Sequence, residues 1–126
     1  MTRTLVVALA LAGCGNATEV ASYQQSISEL QGVVDAHRAD AVAAPDCAVE
    51  HQRYDDAARP HLRQMTRMSG GMMMGNMRSM CGSMQTELDR HAAAACAGDA
   101  AANQAETQRH CQLMNDWLTR QRDAAR

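Results

Sequence analysis

The sequence of 126 residues has no phenylalanine, only one tryptophan and only two tyrosines. Because aromatic and β-branched residues favour strands, their scarcity nearly excludes a β-sheet protein. Alanine, methionine, glutamine, glutamate and arginine are common instead, and these residues favour helices. The sequence therefore predicts one small all-α domain whose core is filled by alanine, leucine, valine and methionine.

An excess of basic charge is also missing. Twelve arginines, with no lysine, face fourteen acidic residues, and the formal net charge is −2. Without a surplus of basic surface we expect no nucleic-acid partner. The chain shows no glycine-rich phosphate loop, no Ser/His/Asp grouping and no paired-carboxylate motif. We therefore expect a protein that is not an enzyme.

The N-terminus has the order of a secretory signal: Arg3, an apolar run over residues 5–12, and then small residues. Leu11, Ala12, Gly13 and Cys14 resemble the lipobox of bacterial lipoproteins. The resemblance implies a signal peptide over residues 1–13, diacylglycerol on the Cys14 sulfur and an acyl chain such as palmitate on its amine. It also implies a mature domain over residues 14–126, tethered by lipid to the outer membrane and facing the periplasm.

Apolar residues recur in four segments at the alternating three- and four-residue spacing of a helical bundle. The predicted helices span residues 17–43, 46–68, 73–97 and 99–124. Asp46 and Asp99 are placed to cap the second and fourth helices, and Pro60 is expected to bend the second. A connection rich in methionine and glycine spans residues 69–76. Short connections favour an antiparallel up-and-down four-helix bundle.

Four histidines fall on the inward positions of these helices, namely His37, His51, His61 and His91, whereas His110 lies beside such a position. In an antiparallel bundle, residues equally far from a connecting loop lie at the same height. This places His37, His51 and His91 in one core layer. Three neutral imidazoles can bind a metal ion and leave an open coordination position. The alternative is a hydrated polar core with no metal.

The same heights pair Cys47 with Cys96 and Cys81 with Cys111. Other pairings exceed the distance of about 7 Å between Cα atoms that a disulfide spans. An oxidising compartment favours two structural disulfides. The alternative keeps the thiols reduced and makes a tetrahedral soft-metal site from Cys47, His51, His91 and Cys96.

Eight methionines lie between residues 65 and 84. Some occupy inward positions and can fill the core, but the run Met72, Met73 and Met74 is flanked by glycines and cannot all point inward. The stretch resembles the methionine-rich segments of periplasmic copper-handling proteins. Thioether sulfur favours cuprous ion. A hydrophobic contact surface and a sink for oxidants are the alternatives.

Together these patterns predict a lipid-anchored helical-bundle lipoprotein that binds or buffers a soft transition metal, most favourably copper. The expected ligands are Met72, Met73, Met74, Met77 and Met80 near the connection, and His37, His51 and His91 in the core. The alternative function is a disulfide-stapled structural or interaction module of the cell envelope, with no metal and with a protein partner that the sequence does not identify.

Overall fold

A computed structural model describes residues 2–71 and 75–125, with side chains from residue 17 onward. It contains four helices: α1 (Thr2–Ala43), α2 (Cys47–Gly71), α3 (Gly75–Ala94) and α4 (Ala100–Ala124). Both α1 and α3 pack against α2 and α4. This is the predicted up-and-down four-helix bundle. Within the described residues, none of the helices carries an apolar stretch long enough to cross a membrane.

The helix ends differ from the predicted ones. Helix α1 begins at Thr2 rather than at residue 17, because the leader is itself rich in alanine and leucine, which favour helices. Helix α2 continues to Gly71 and α3 begins at Gly75, so the predicted connection over 69–76 is mostly helical. The signal-peptide and lipidation predictions depend on side chains outside the described residues, those of 1–16. Met72, Met73 and Met74 also lie outside the described residues.

Two aspartates cap helices as predicted. The backbone N–H of Val49 donates to Asp46 Oδ1 at 3.1 Å, and that of Ala102 donates to Asp99 Oδ1 at 2.8 Å. Just before Asp99, a Cβ on Gly98 would come within 2.9 Å of the Ala102 Cβ. Glycine is therefore needed where the chain turns from α3 into α4. These local contacts fix the connection between α3 and α4, which contains Cys96.

Helix α2 continues through Pro60, and its buried residues recur every three or four positions on both sides of it, at Ala58, Leu62 and Met65. Leu62 is fully buried, whereas His61 is half-buried and lies 3.3 Å from Glu29 through its Nδ1 atom. The prediction that His61 faces the core is therefore wrong. Leu62 follows Ala58 by four residues on the continuous buried face of α2, so His61 lies one residue, or about 100°, to the side of that face.

The core is divided along the bundle axis. The half that includes the α2 N-terminus and the α3 C-terminus contains buried polar residues, namely His37, Glu50, Glu87, His91, Thr107 and His110. The other half is mostly apolar, with Ile27, Leu62, Met65, Met77, Met84 and Leu118. Burial of a polar group costs free energy unless the group is hydrogen-bonded or paired, so the contacts of the polar half must be examined one by one for a functional site.

Candidate metal centre

The predicted layer of three histidines is present. His37 of α1, His51 of α2 and His91 of α3 each offer a ring nitrogen within 4.8 Å of the others, so this group can hold a metal ion. His37 and His91 are 2% and 1% exposed, whereas His51 is half-buried. The Nε2 atoms of His37 and His91 are 3.1 Å apart.

The other nitrogen of each ring faces an oxygen. His37 Nδ1 lies 2.8 Å from Glu50 Oε1, and His91 Nδ1 lies 3.3 Å from Glu106 Oε1. His51 Nδ1 lies 2.9 Å from the carbonyl oxygen of Cys47, one helical turn earlier. Carboxylate and carbonyl oxygens accept, so each Nδ1 carries the proton and each Nε2 keeps its lone pair. Metal-binding histidines are oriented in this way by outer oxygens.

These protonation states bring two lone pairs face to face. With both Nδ1 atoms donating outward, no proton remains between the Nε2 atoms of His37 and His91. A charged imidazole there is disfavoured, because burial lowers the pKa of His37 and, with the neighbouring His110 and His37, lowers the pKa of His91 to about 2. A cation between the two nitrogens would turn this repulsion into attraction. His51 Nε2 differs, since Thr107 Oγ1 lies 3.2 Å away and can donate to it.

Glu50 adds an uncompensated charge to the same place. Its side chain is 4% exposed, and Oε2 lies 3.2 Å from His51 Nδ1. That proton is directed to the Cys47 carbonyl, and within the described residues Oε2 accepts no hydrogen bond. The ionisable groups paired with this carboxylate in the described part of the chain are the two imidazoles of His37 and His51. A buried carboxylate without a cation favours the arrival of a metal ion.

Beside the three histidines lies a second buried group, formed by His110, Tyr54 and Glu87. We call it the closed group, because its members pair with one another and with two arginines. His110 Nδ1 donates to Glu87 Oε2 at 2.9 Å, and Tyr54 Oη donates to His110 Nε2 at 2.6 Å. Glu87 also accepts from Arg90 Nε at 2.6 Å and from Arg109 Nη2 at 3.2 Å. Burial, with His37 and Arg90 nearby, lowers the pKa of His110 to about 3. His110 is neutral and both of its nitrogens are occupied, so it is not a free ligand.

Sequence periodicity missed this second group. The spacing puts His110 beside the inward positions of α4, Tyr54 on an inward position of α2 and Glu87 on none. One signal was available, because Glu87 with Arg90 and Glu106 with Arg109 are three residues apart on facing helices. Such matched acid and arginine pairs indicate a network between two helices.

Ring stacking holds the ligands in place. His37 stacks on Tyr54 with centroids 3.8 Å apart, and His91 stacks on His110 at the same distance. The closed group thus supports the faces of both buried histidines. Rigid support of this kind keeps ligands near a productive geometry.

The Cys47–Cys96 disulfide is confirmed, with a Cα–Cα distance of 5.9 Å. It lies against His51, whose Nδ1 atom is 3.6 Å from Cys47 Sγ and 3.5 Å from Cys96 Sγ. In this oxidised form neither sulfur is a thiolate, so the alternative tetrahedral site of two thiolates and two histidines is not formed.

The predicted Cys81–Cys111 disulfide is wrong, because both cysteines are free and buried. Cys81 Sγ lies 3.7 Å from Tyr23 Oη, and Cys111 Sγ lies 3.8 Å from the carbonyl oxygen of Val34. Tyr23 and Val34 are separated by roughly 16 Å along α1, at 1.5 Å per residue. The two thiols therefore lie at different heights, too far apart for a bridge.

Met77 and Met80, the two predicted methionine ligands that the structure describes, form no part of the histidine layer. Met77 is buried in the core and Met80 packs against the core. Along α3 they lie roughly 21 Å and 16 Å from His91, at 1.5 Å per residue. Met77 and Met80 therefore lie too far along the bundle to share one ion with the three histidines.

Two cavities reach the histidine layer. One of about 320 Å³ is lined by Cys47, His51 and Thr107, together with Asn103 and Gln104 of α4. The other, of about 140 Å³, is lined by His37, Glu50 and Tyr54. Both are large enough for water and for a hydrated ion that loses its shell on binding.

No protein-family model matches the chain, and neither a curated protein nor a solved structure matches it.

Proposed function

We propose that this chain binds one transition metal ion through the Nε2 atoms of His37, His51 and His91. The observation that carries the proposal is the 3.1 Å distance between the buried Nε2 atoms of His37 and His91, whose Nδ1 atoms both face carboxylate oxygens. Two ligands that each lie 2.0–2.1 Å from a tetrahedral zinc ion are about 3.3 Å apart, which is close to that distance. His51 completes the set, and a fourth position remains for water or a small ligand.

Copper is the ion that we expect to bind most tightly. Neutral imidazoles suit copper and zinc, and a given nitrogen site holds Cu²⁺ more tightly than Zn²⁺. The Glu50 carboxylate supplies negative charge beside the ion. The function that follows is binding or buffering of copper, with entry through the cavity beside His51.

For the methionines we propose a separate cuprous site at the other end of the bundle. Its support comes from sequence alone, from the run Met72, Met73 and Met74 between glycines. Met77 and Met80 pack on the core beside this run and would contribute only if their side chains turned outward.

The membrane tether is also a proposal, supported by the lipobox-like residues Leu11, Ala12, Gly13 and Cys14. The intact mass of protein extracted from membranes would test it. We expect a chain starting at Cys14 with added diacylglycerol and acyl mass, and Cys14→Ala is expected to remove that mass. An unmodified chain would contradict the tether without affecting the metal proposal.

The experiment that tests metal binding is a titration of metal-free protein with Cu²⁺ under a competing chelator. We expect one ion per chain in the wild type and loss of that ion in His37→Gln/His91→Gln. His61→Gln is the matched control, since His61 is half-buried and lies outside the layer. Equal binding in all three proteins would contradict the proposal.

A structural or interaction module is the second candidate, favoured by the Cys47–Cys96 disulfide and by the Glu87 network, which can hold the bundle without metal. Protein purified from its own cells separates the two. Stoichiometric metal and a lower Tm after chelation support the metal site, whereas no metal and an unchanged Tm support the module.

A further inference from the structure

The disulfide and the histidine layer meet at one residue. His51 belongs to the histidine layer, and its Nδ1 atom lies 3.6 and 3.5 Å from the two sulfurs of Cys47–Cys96. One atom each from Cys47, His51 and Cys96 forms a second group of ligand atoms within 4.8 Å of one another. Disulfide sulfur is a poor metal ligand and thiolate is a strong one. The redox state of Cys47 and Cys96 therefore decides whether this second group can bind a metal ion.

We infer that reduction of Cys47–Cys96 creates a second metal site, formed by Cys47, His51 and Cys96, which takes His51 from the histidine layer. The oxidation state of the disulfide then decides where the ion lies. This inference rests on the proposed function of the layer. Two thiolates and one imidazole fit a thiophilic ion such as Zn²⁺ or Cu⁺.

The two sites exclude each other because they need different forms of His51. In the layer, Nδ1–H donates to the Cys47 carbonyl and Nε2 is free to bind. The thiolate site needs the Nδ1 lone pair, so the proton must lie on Nε2, where Thr107 Oγ1 is 3.2 Å away and can accept. A neutral imidazole has one proton and one lone pair, so it serves only one site at a time.

The disulfide is also within reach of a reductant. Cys96 is exposed, and Cys47 is half-buried at the wall of the 320 Å³ cavity that His51 also lines. A dithiol reductant attacks one sulfur as a thiolate, which breaks the S–S bond and forms a mixed disulfide. The second thiol of the reductant then attacks this mixed disulfide and forms an S–S bond within the reductant. The reductant leaves as a cyclic disulfide, and its two electrons and two protons remain on the thiols of Cys47 and Cys96. The arriving ion displaces the two thiol protons to solvent.

The test uses the full chain with Co²⁺ as the probe, because thiolate ligands give Co²⁺ a charge-transfer absorption band that nitrogen ligands do not give. The reductant is a water-soluble phosphine, which takes oxygen from water to become its oxide and adds no thiol. Oxidised protein is expected to bind one Co²⁺ without the band. Reduced protein is expected to bind one Co²⁺ with the band, because the shared His51 prevents two.

Three variants assign the band. Cys47→Ser/Cys96→Ser should bind Co²⁺ without the band under both conditions. His37→Gln/His91→Gln should bind none when oxidised and should show the band when reduced. Cys81→Ala/Cys111→Ala is the matched control, since it removes the two free thiols and should keep the band.

Several results would overturn the inference: no band on reduction, a band that survives without Cys47 and Cys96, two Co²⁺ ions per reduced chain, or loss of helical circular dichroism on reduction. A different result addresses the histidine layer. If oxidised protein binds no Co²⁺ but the band appears on reduction, the proposed histidine site is wrong and the thiolate site is supported.

Discussion

Two groups of the same chemical kind share the polar half of the core, and they differ in whether their contacts are complete. The group of His110, Tyr54 and Glu87 has a donor for every acceptor and two arginines beside its carboxylate. The group of Glu50, His37 and His91 has a carboxylate oxygen without a donor and two Nε2 atoms that are 3.1 Å apart.

The difference shows that a buried carboxylate can either stabilise the contact between two helices or attract a cation. Where Arg90 and Arg109 compensate the charge of Glu87, the network holds α3 against α4 and needs nothing further. No arginine pairs with Glu50 in the described part of the chain, so the same burial leaves a negative carboxylate beside His37 and His51. A protein that only needed stability would gain from apolar side chains there, because unpaired buried polar groups are costly.

Breaking the closed group should give the largest effect. Glu87→Ala leaves the buried Nδ1–H of His110 without an acceptor and removes one of the two carboxylates that pair with Arg90 and Arg109, so we expect a loss of about 3 kcal/mol in the free energy of unfolding. Urea unfolding measures it. Glu29→Ala is the control, because the half-exposed pair of Glu29 with His61 is worth less than about 1 kcal/mol. Equal small losses would mean that the closed group is not a stabilising network.

Acid should destabilise the metal-free chain next most strongly. The pKa of His91 falls to about 2 and that of His110 to about 3 on folding, so the unfolded chain binds protons more readily. Stability from the neutral rings is complete above about pH 6.5 and is lost as the pH falls from there toward those values. From pH 6 to pH 5 we expect a loss of about 2–3 kcal/mol, at 1.4 kcal/mol for each ring.

Urea unfolding at a series of pH values measures this loss. His61→Gln should leave the slope unchanged, because that ring lies outside the layer. A free energy of unfolding that stayed level between pH 6 and pH 5 would contradict burial of the two rings in neutral form.

Glu50→Gln should separate stability from metal binding. The change keeps the size of the side chain and an oxygen for His37 but removes the uncompensated charge, so the metal-free free energy of unfolding should change by less than about 1 kcal/mol. Affinity for Cu²⁺ should weaken about 10–100-fold, as expected when the oxygen that orients a histidine ligand is altered. Isothermal titration measures the affinity.

Asp40→Asn is the control for that titration, because Asp40 lines the cavity beside His37 but is exposed. Unaltered affinity in Glu50→Gln would show that Glu50 has no part in the site.

Thr107→Val should have the smallest effect. It removes the hydroxyl that can donate to His51 Nε2, and we expect the metal-free chain to lose about 1 kcal/mol in its free energy of unfolding. The metal-loaded chain should lose less, because the ion then occupies that lone pair. Thermal unfolding with and without Cu²⁺ measures both. An equal loss in the two states would mean that His51 Nε2 is not a ligand.

Comparison of sequence with structure shows why some of these residues could be predicted. The heights of His37, His51, His91, Cys47 and Cys96 follow from a constant rise per residue and short connections, and all five lie together. Rotation about each helix axis was harder to predict. Leu62 rather than His61 is buried, and His110 is buried beside Cys111. A step of one residue turns a helix by about 100°, so a small error in the assumed rotation exchanges neighbouring residues.

The proposed Cys81–Cys111 bridge failed for a related reason. Height was the only measure available from sequence, and it does not say toward which neighbouring helix each cysteine points. In the structure, Cys81 turns toward Tyr23 and Gln121, while Cys111 turns toward α1 beside Val34. Packing against a third helix decided both directions.

The sequence alone determined the four helices, their antiparallel order and the layer in which three imidazoles and one disulfide meet, because helical periodicity and rise are local properties of the chain. Tertiary structure alone decided which nitrogen of each ring faces inward, since that depends on oxygens brought from other helices or an earlier turn. It also decided that Glu87 has arginine partners and that Glu50 has none among the described residues, because compensation of a buried charge depends on neighbours that only the folded bundle brings within contact distance.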